Sequence, residues 1–211
     1  MSNLEISCSR TAPLLKCLVT GSAFLILVAI TLVFPLNGFT QILRLKRLTD
    51  LVRPDSVEIG KKAPDVEMYD RNDAGIRLSS LFGKYLLINF WSEGVVASML
   101  ELPYWERARQ KFKRRNIDFV RISLEKDKGA WIRYYDQHHL QGIQLYGDPY
   151  KAPLSYYLLK SRNIKGKDLL SYTLPRYYLI DQKGVILDND IAVKPSDTLN
   201  FDRFISKLPG L

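Results

Sequence analysis

Leu86-Leu87-Ile88-Asn89-Phe90-Trp91, followed at once by Ser92-Glu93-Gly94-Val95-Val96-Ala97-Ser98, is the stretch on which the reading of this chain turns. Its first six residues form a short, nearly continuous apolar run, the pattern of a central strand buried on both faces. From Val95 to Arg115 the period becomes helical. Val95, Met99, Leu102, Arg109 and Phe112 fall on related faces, and Lys111, Lys113, Arg114 and Arg115 place positive charge where a helix C-terminus favours it. Pro103 lies inside this helix and predicts a kink.

Working outward, Asp118 to Leu124 reads as the next strand and Asp127 to His138 as a helix. Arg176 to Ile180 and Val185 to Leu187 read as strands joined by Asp181-Gln182-Lys183-Gly184, which is hairpin chemistry. Thr198 to Leu208 closes the chain as an amphipathic helix. The 211 residues, 46% hydrophobic and 25% charged, allow one α/β domain of ordinary size, over 59–211, plus an appendage. Neither an internal repeat nor a low-complexity tract appears.

The appendage is apolar. From Cys17 to Leu43 there is no charged residue. Leu14 to Leu36, despite Lys16 near its start, supplies the roughly 20 residues needed to cross a hydrocarbon core about 30 Å thick. Pro35 and Gly38 end it. A cleaved signal peptide is the rival reading, but no small-x-small site follows Phe34. The expectation is therefore a tail (1–13), one transmembrane anchor (14–36) and a basic juxtamembrane linker (37–58). Within the linker, Ile42 to Leu48 is amphipathic, and either lies along the headgroups or continues the membrane helix. Arg10 and Lys16 flank the anchor on one side, and Arg44, Lys46, Arg47 and Arg53 on the other. Taken alone, that bias favours a cytoplasmic domain, although large domains translocate despite a modest charge difference.

Beyond residue 36 there are 29 Lys and Arg against 21 Asp and Glu, a net of +8. Attraction to anionic lipid explains a basic linker more simply than nucleic acid does. No zinc-ligand spacing, RNA-binding aromatic motif or long basic run accompanies it, so no nucleic-acid partner is expected.

The ordered landmarks of residues 59 to 208 resemble the TlpA/ResA-like branch of the thioredoxin fold, which borders the AhpC/TSA peroxiredoxins. Ile59-Gly60-Lys61-Lys62-Ala63-Pro64-Asp65 is similar to that family's opening segment. Gly75 to Lys84 resembles the turn, short helix and Gly-Lys before its central strand. Asn89-Phe90-Trp91 leads into the active-site loop, and Glu101 and Pro103 fall where the family has Glu-x-Pro. Ser123 to Asp127 resembles the next strand-to-helix passage, Leu174-Pro175-Arg176 the cis-proline segment, and Leu179 to Gly184 the Leu-Ile-Asp-x-x-Gly hairpin. The resemblance implies a thioredoxin-like mixed sheet sandwiched by helices, with a cis-Pro175 loop opposite the start of the Val95 helix. It also implies export of the domain to the periplasm, against the charge bias, and that reading is the one expected here.

The same resemblance, through Glu101 and Pro103, implies that the family's two reactive cysteines would fall at Val95 and Ser98. The only cysteines, Cys8 and Cys17, precede the anchor. Thiol–disulfide exchange needs an attacking thiolate and a resolving one. Any redox role would need sulfur from a partner, and a peroxidatic thiolate is equally lacking. Ser98 as a nucleophile would need an adjacent base and an oxyanion hole, whereas His138 and His139 fall on a different predicted helix. Those two histidines project about 100° apart and are poorly placed to share a metal. Neither metal nor cofactor is expected. Glu101 reads as a buried family position and Glu93 as solvated.

In relatives the two loops form a groove for an extended polypeptide, which makes Trp91, Gly94, Leu174, Pro175 and Arg176 the candidate groove residues. Nine of the twelve tyrosines lie between Tyr134 and Tyr178. The long segment Tyr146 to Tyr172 predicts an added helix and loop, with Tyr150 and Tyr156 on a protein-contact surface. The reading is a membrane-anchored, single-pass thioredoxin-like protein lacking redox cysteines, which serves as a binding or assembly module for an envelope protein. The alternatives are a thiol–disulfide oxidoreductase that works with a partner's cysteines, and a structural subunit of a membrane complex.

Overall fold

The computed structural model describes residues 57–164 and 167–211. The expected tail, the anchor and all of the linker except Val57 and Glu58 lie outside the described residues. No helix among the described residues is long and apolar enough to cross a membrane.

In chain order the elements are β1 (Glu67–Tyr69), β2 (Gly75–Arg77), a 3-10 turn (Leu78–Leu81), β3 (Tyr85–Trp91), α1 (Val96–Phe112) and β4 (Ile117–Ser123). They continue with α2 (Lys128–Gln137), β5 (Ile143–Tyr146), α3 (Leu154–Leu158), β6 (Lys160–Ile164), β7 (Lys167–Ser171), β8 (Arg176–Ile180), β9 (Ile186–Asp188) and α4 (Thr198–Ser206). Seven strands form one mixed sheet in the order β2-β1-β5-β4-β3-β8-β9, and β6 and β7 make a separate hairpin. Strands β3, β4 and β5 run parallel, whereas β8 is antiparallel to β3.

All seven side chains of β3 are buried, as its unbroken apolar run requires. Leu86, Ile88 and Phe90 enter one core with Val120, Ile122, Tyr178 and Ile180. Tyr85 and Leu87 enter the opposite core with Trp105, Phe112, Phe201 and Ile205 of α1 and α4. Trp91 belongs to a third cluster with Trp131, Tyr134 and Leu140. Between the second and third clusters runs a polar row across the sheet. Register pairs Tyr177 with Asn89, Asn89 with Arg121, and Arg121 with Gln144. All four are buried.

Arg121 has no hydrogen-bond acceptor among the described residues, and its guanidinium carbon sits 4.0 Å from the centroid of the Trp91 ring. Burial pushes its pKa down to about 10, against the opposing charge of Glu106. Stacking on an aromatic face offsets part of the desolvation cost of a buried cation.

The turn Asp181 to Gly184 joins β8 to β9 as its sequence predicts. Gly184 has φ +82°, and an added Cβ would stand 2.4 Å from the Phe82 ring, so both conformation and space demand glycine. The opening segment pairs onto β9, with Gly60 N donating to Ile186 O at 2.8 Å and Ala63 N to Gly184 O at 2.8 Å. Helix α1 runs unbroken across Pro103. Helix α2 ends at Gln137, so His138 caps it and His139, at φ +47°, lies beyond it. The expectation that both histidines ride on this helix is therefore corrected, because the helical register stops just before them. Strands β1, β2 and β5 are too short, and β6 and β7 too polar, to show a period in sequence, and none of the five is anticipated.

Helix α4 lies along α1 through Asp202, which accepts from Arg107 Nη2 at 2.8 Å and Lys111 Nζ at 2.8 Å. The Arg107 guanidinium, and less strongly the Lys111 ammonium, hold this carboxylate below its usual range despite partial burial. A lowered carboxylate pKa contributes stability above the ordinary value of about 4, and that contribution is lost as pH falls through the folded-state value. D202N should cost about 1 kcal/mol at pH 7, since both cations are partly exposed. In urea melts at a series of pH values, the difference from wild type should shrink as pH falls below the ordinary carboxylate value of about 4.

Candidate functional site

Because β3, β4 and β5 are parallel and in register, their carboxyl ends come to one edge. Leu124 N donates to Trp91 O at 3.0 Å, and Gly147 N to Ser123 O at 3.0 Å. Strand β8 starts at the same edge, where Arg176 pairs with Phe90. Four loops therefore converge, namely 92–95, 124–127, 147–153 and 172–175. In open α/β sheets this is the end at which ligands bind.

Loop 92–95 is held by a residue the sequence did not single out. Glu125 Oε1 accepts from Ser92 Oγ at 2.7 Å and from the Glu93 backbone N–H. Only its place just past the end of β4, invisible without the sheet register, would have pointed to it. Val95 then serves as the N-cap of α1, with no side-chain cap. Ser98 N donates to Val95 O at 2.8 Å, closing the first turn. Val95 is half-exposed, whereas Ser98 is fully buried and its Oγ has no partner among the described residues. The two positions thus have unequal access: the first meets solvent and the second lies behind it. No acid or base among the described residues hydrogen-bonds the Ser98 hydroxyl.

The Leu174–Pro175 bond is cis, and both residues are half-buried. As they immediately precede Arg176, the β3–β8 register sets them beside Trp91 and Ser92. Gly94 is exposed at the loop tip. Two of the expected groove residues are not on the surface, and their assignment is corrected. Trp91 is fully buried against Tyr134, 5.4 Å between centroids. Arg176 is buried, with Nη1 donating to Leu158 O at 3.3 Å and Nη2 to Asn189 O at 3.2 Å. Strand alternation turns Trp91 under the helices, and Arg176 closes backbone carbonyls inside the domain. Of the five expected residues, Gly94 is exposed and Leu174 and Pro175 are half-buried.

Glu101 is buried, and its carboxylate accepts from Ser196 Oγ at 2.6 Å and Ser196 N at 2.9 Å. It joins α1 to the segment before α4 and does not face the loop. Glu93 is exposed. Tyr150 is exposed at the loop edge, whereas Tyr156 packs partly buried against the main core. Val96 and Leu100, on the first two turns of α1, are 73% and 67% exposed. No cluster of His, Cys, Asp and Glu among the described residues is arranged to hold a metal.

This architecture is a thioredoxin-like fold. The chain belongs to the AhpC/TSA family, whose model matches residues 59–188. It is similar to the thiol-disulfide oxidoreductase ResA of Bacillus anthracis, 24% identical over 145 residues that cover 69% of this chain and 76% of the relative. The peroxiredoxin Bcp of Bacillus subtilis (strain 168) is also 24% identical, over 67% of this chain and 90% of its own length. Among solved structures, the thioredoxin domain of a thiol-disulfide oxidoreductase from Bacteroides vulgatus superposes with a TM-score of 0.56 at 20% identity, covering 71% of this chain and 99% of that one.

If the scaffold is intact and only the sulfur is missing, restoring it restores the pair. In a C8S/C17S background, V95C/S98C should form an intramolecular disulfide on mild oxidation, seen as a 2:1 loss of titratable thiols per bond by alkylation and mass analysis. After reduction, Cys at 95 should alkylate at least about tenfold faster than Cys at 98, following thiolate access. Two equally reactive thiols that do not pair would contradict the geometry described above.

Proposed function

We propose that the protein is a membrane-anchored, exported thioredoxin-like module that binds an extended segment of an envelope protein and has no thiol chemistry of its own. The observation that carries this reading is the juxtaposition, set by the β3–β8 register, of the half-buried cis Leu174–Pro175 segment and the loop leading to Val95 and Ser98, in a chain with no cysteine after residue 17. Backbone groups at such a loop are available to pair with an added strand, which needs no nucleophile. The exposed apolar side chains of Val96 and Leu100 border the same loop, as expected of a surface that meets a partner. Leu14 to Leu36 supplies the anchor, and the linker keeps the domain within reach of membrane proteins.

The relatives named as thiol-disulfide oxidoreductases favour a second reading, in which the domain acts on disulfides with a partner's cysteines. Both sulfurs would then have to come from that partner, because Ser98 offers none.

A photoreactive amino acid at position 95 tests the first reading in cells. One predominant adduct with an envelope protein is expected, reduced at least about fivefold by P175A, and digested by protease added after the outer membrane is permeabilised. A diffuse set of adducts, or capture unaffected by P175A, contradicts the groove. An adduct protected from that protease contradicts export.

A further inference from the structure

A cleft of about 210 Å³ opens between the loops after β4 and β5 and the segment that leads to Pro175. Its walls are unusual for so basic a chain. Tyr146 ends β5, Tyr150 lies in the loop before α3, and Tyr172 stands three residues ahead of Pro175. The Tyr150 and Tyr172 rings meet at 65° with centroids 6.3 Å apart, so they form two sides of a corner. Tyr146 is braced from behind by Trp131, 5.8 Å between centroids.

Two carboxylates close the cleft. Glu125 commits Oε1 to Ser92 and Glu93, and Asp148 commits Oδ1 to Tyr150 N at 2.9 Å. Glu125 Oε2 and Asp148 Oδ2 are uncommitted among the described residues. Lys126 is the single cation in the lining. Burial, and then the neighbouring charges of Asp148 and Glu125 among others, raise the Tyr146 phenol; burial, Tyr150, Glu125 and Asp148 do the same at Tyr172. The local potential is therefore negative inside a domain of net positive charge.

Aromatic faces carry negative charge density and attract cations, most strongly where water is displaced. Three tyrosines with two carboxylates in one lining favour an alkylammonium or guanidinium group over an anion. The volume is below the roughly 300 Å³ at which small-molecule sites begin, and suits one long side chain. The cleft adjoins the loops proposed to form the groove, since Tyr172 stands three residues ahead of Pro175 and Glu125 accepts from Ser92.

We propose that this cleft is the subsite for a lysine or arginine side chain of the polypeptide that occupies the Leu174–Pro175 groove. The proposal rests on the binding-module reading and adds to it the chemistry of the partner. It also explains why Tyr150 is held exposed beside Tyr172 while Tyr156 is packed inward.

The test uses the full chain in detergent micelles with ring-labelled tyrosine, observed by NMR. Three blocked peptides serve as probes: acetyl-Thr-Val-Lys-Val-Thr-amide and its counterparts with norleucine or glutamate at the centre. The lysine peptide should bind at least about fivefold more tightly than the norleucine peptide and shift the Tyr146, Tyr150 and Tyr172 signals, with glutamate weakest and the advantage shrinking as salt rises. Y150A alters an exposed side chain, and D148N keeps the Oδ1 acceptor for the Tyr150 amide; each should remove about three- to tenfold of the lysine preference. Equal binding of the lysine and norleucine peptides would overturn the subsite while leaving the groove standing. Shifts confined to tyrosines outside the cleft would overturn it too. Binding of n-butylammonium alone as tightly as the lysine peptide would reassign the cleft to a small amine and overturn the polypeptide assignment. If none of the three peptides binds, the subsite falls, and the groove is judged by crosslinking from position 95.

Discussion

Everything functional in this domain hangs from the double burial of β3. A strand with all seven side chains out of water must be covered on both faces and paired on both edges. The parallel register with β4 and the antiparallel register with β8 satisfy the edges; α1 and α4 cover one face, and α3 with the opening segment covers the other. Those same pairings deliver the ends of β3, β4 and β5 and the start of β8 to one edge. The site loops have no freedom to be elsewhere. Burying apolar surface on this scale contributes about 25 cal/mol per Å² removed from water, so the position of Val95 relative to Pro175 is set by the core.

The polar row Tyr177, Asn89, Arg121 and Gln144 is the exception within that core. It divides the cluster under α4 from the cluster of Trp91, Trp131 and Tyr134 that underlies the loop. Arg121 is the costly member, a buried cation whose stabilisation comes from the Trp91 face and the charge of Glu106. Because Trp91 is the last residue before the loop, the stack also fixes where Ser92 begins. Glu125 then fixes Ser92 and Glu93 from the other side. The loop is thus held by a cation stack beneath and a carboxylate beside it, which preorganises its backbone.

Residues with strong periodicity were legible in the sequence, and those placed only by pairing were not. The run Leu86 to Trp91, the helix from Val95 and the Asp181 to Gly184 turn each carry a signal of their own. The three-residue strands β1 and β2 carry none, because they exist only through their partners. The hairpin β6–β7 reads as a polar insertion. The cis segment at Pro175 was legible through the family resemblance, and the exposure of Tyr150 through composition. Trp91 and Arg176 were misplaced on the groove because neighbourhood in sequence does not say which way a strand residue points. Glu125, Asp148 and Tyr172 converge from three loops, and no local pattern announces that meeting.

A binding module without thiol chemistry of its own, as proposed, would perform no disulfide exchange. The direct measurement is turnover of a disulfide protein substrate by the purified full-length chain in the presence of a dithiol reductant, with a C8S/C17S variant alongside. Both proteins are expected to leave the uncatalysed rate unchanged. Multiple turnovers per molecule that persist in C8S/C17S would contradict that reading, since no thiol would then remain from which a mixed disulfide could form.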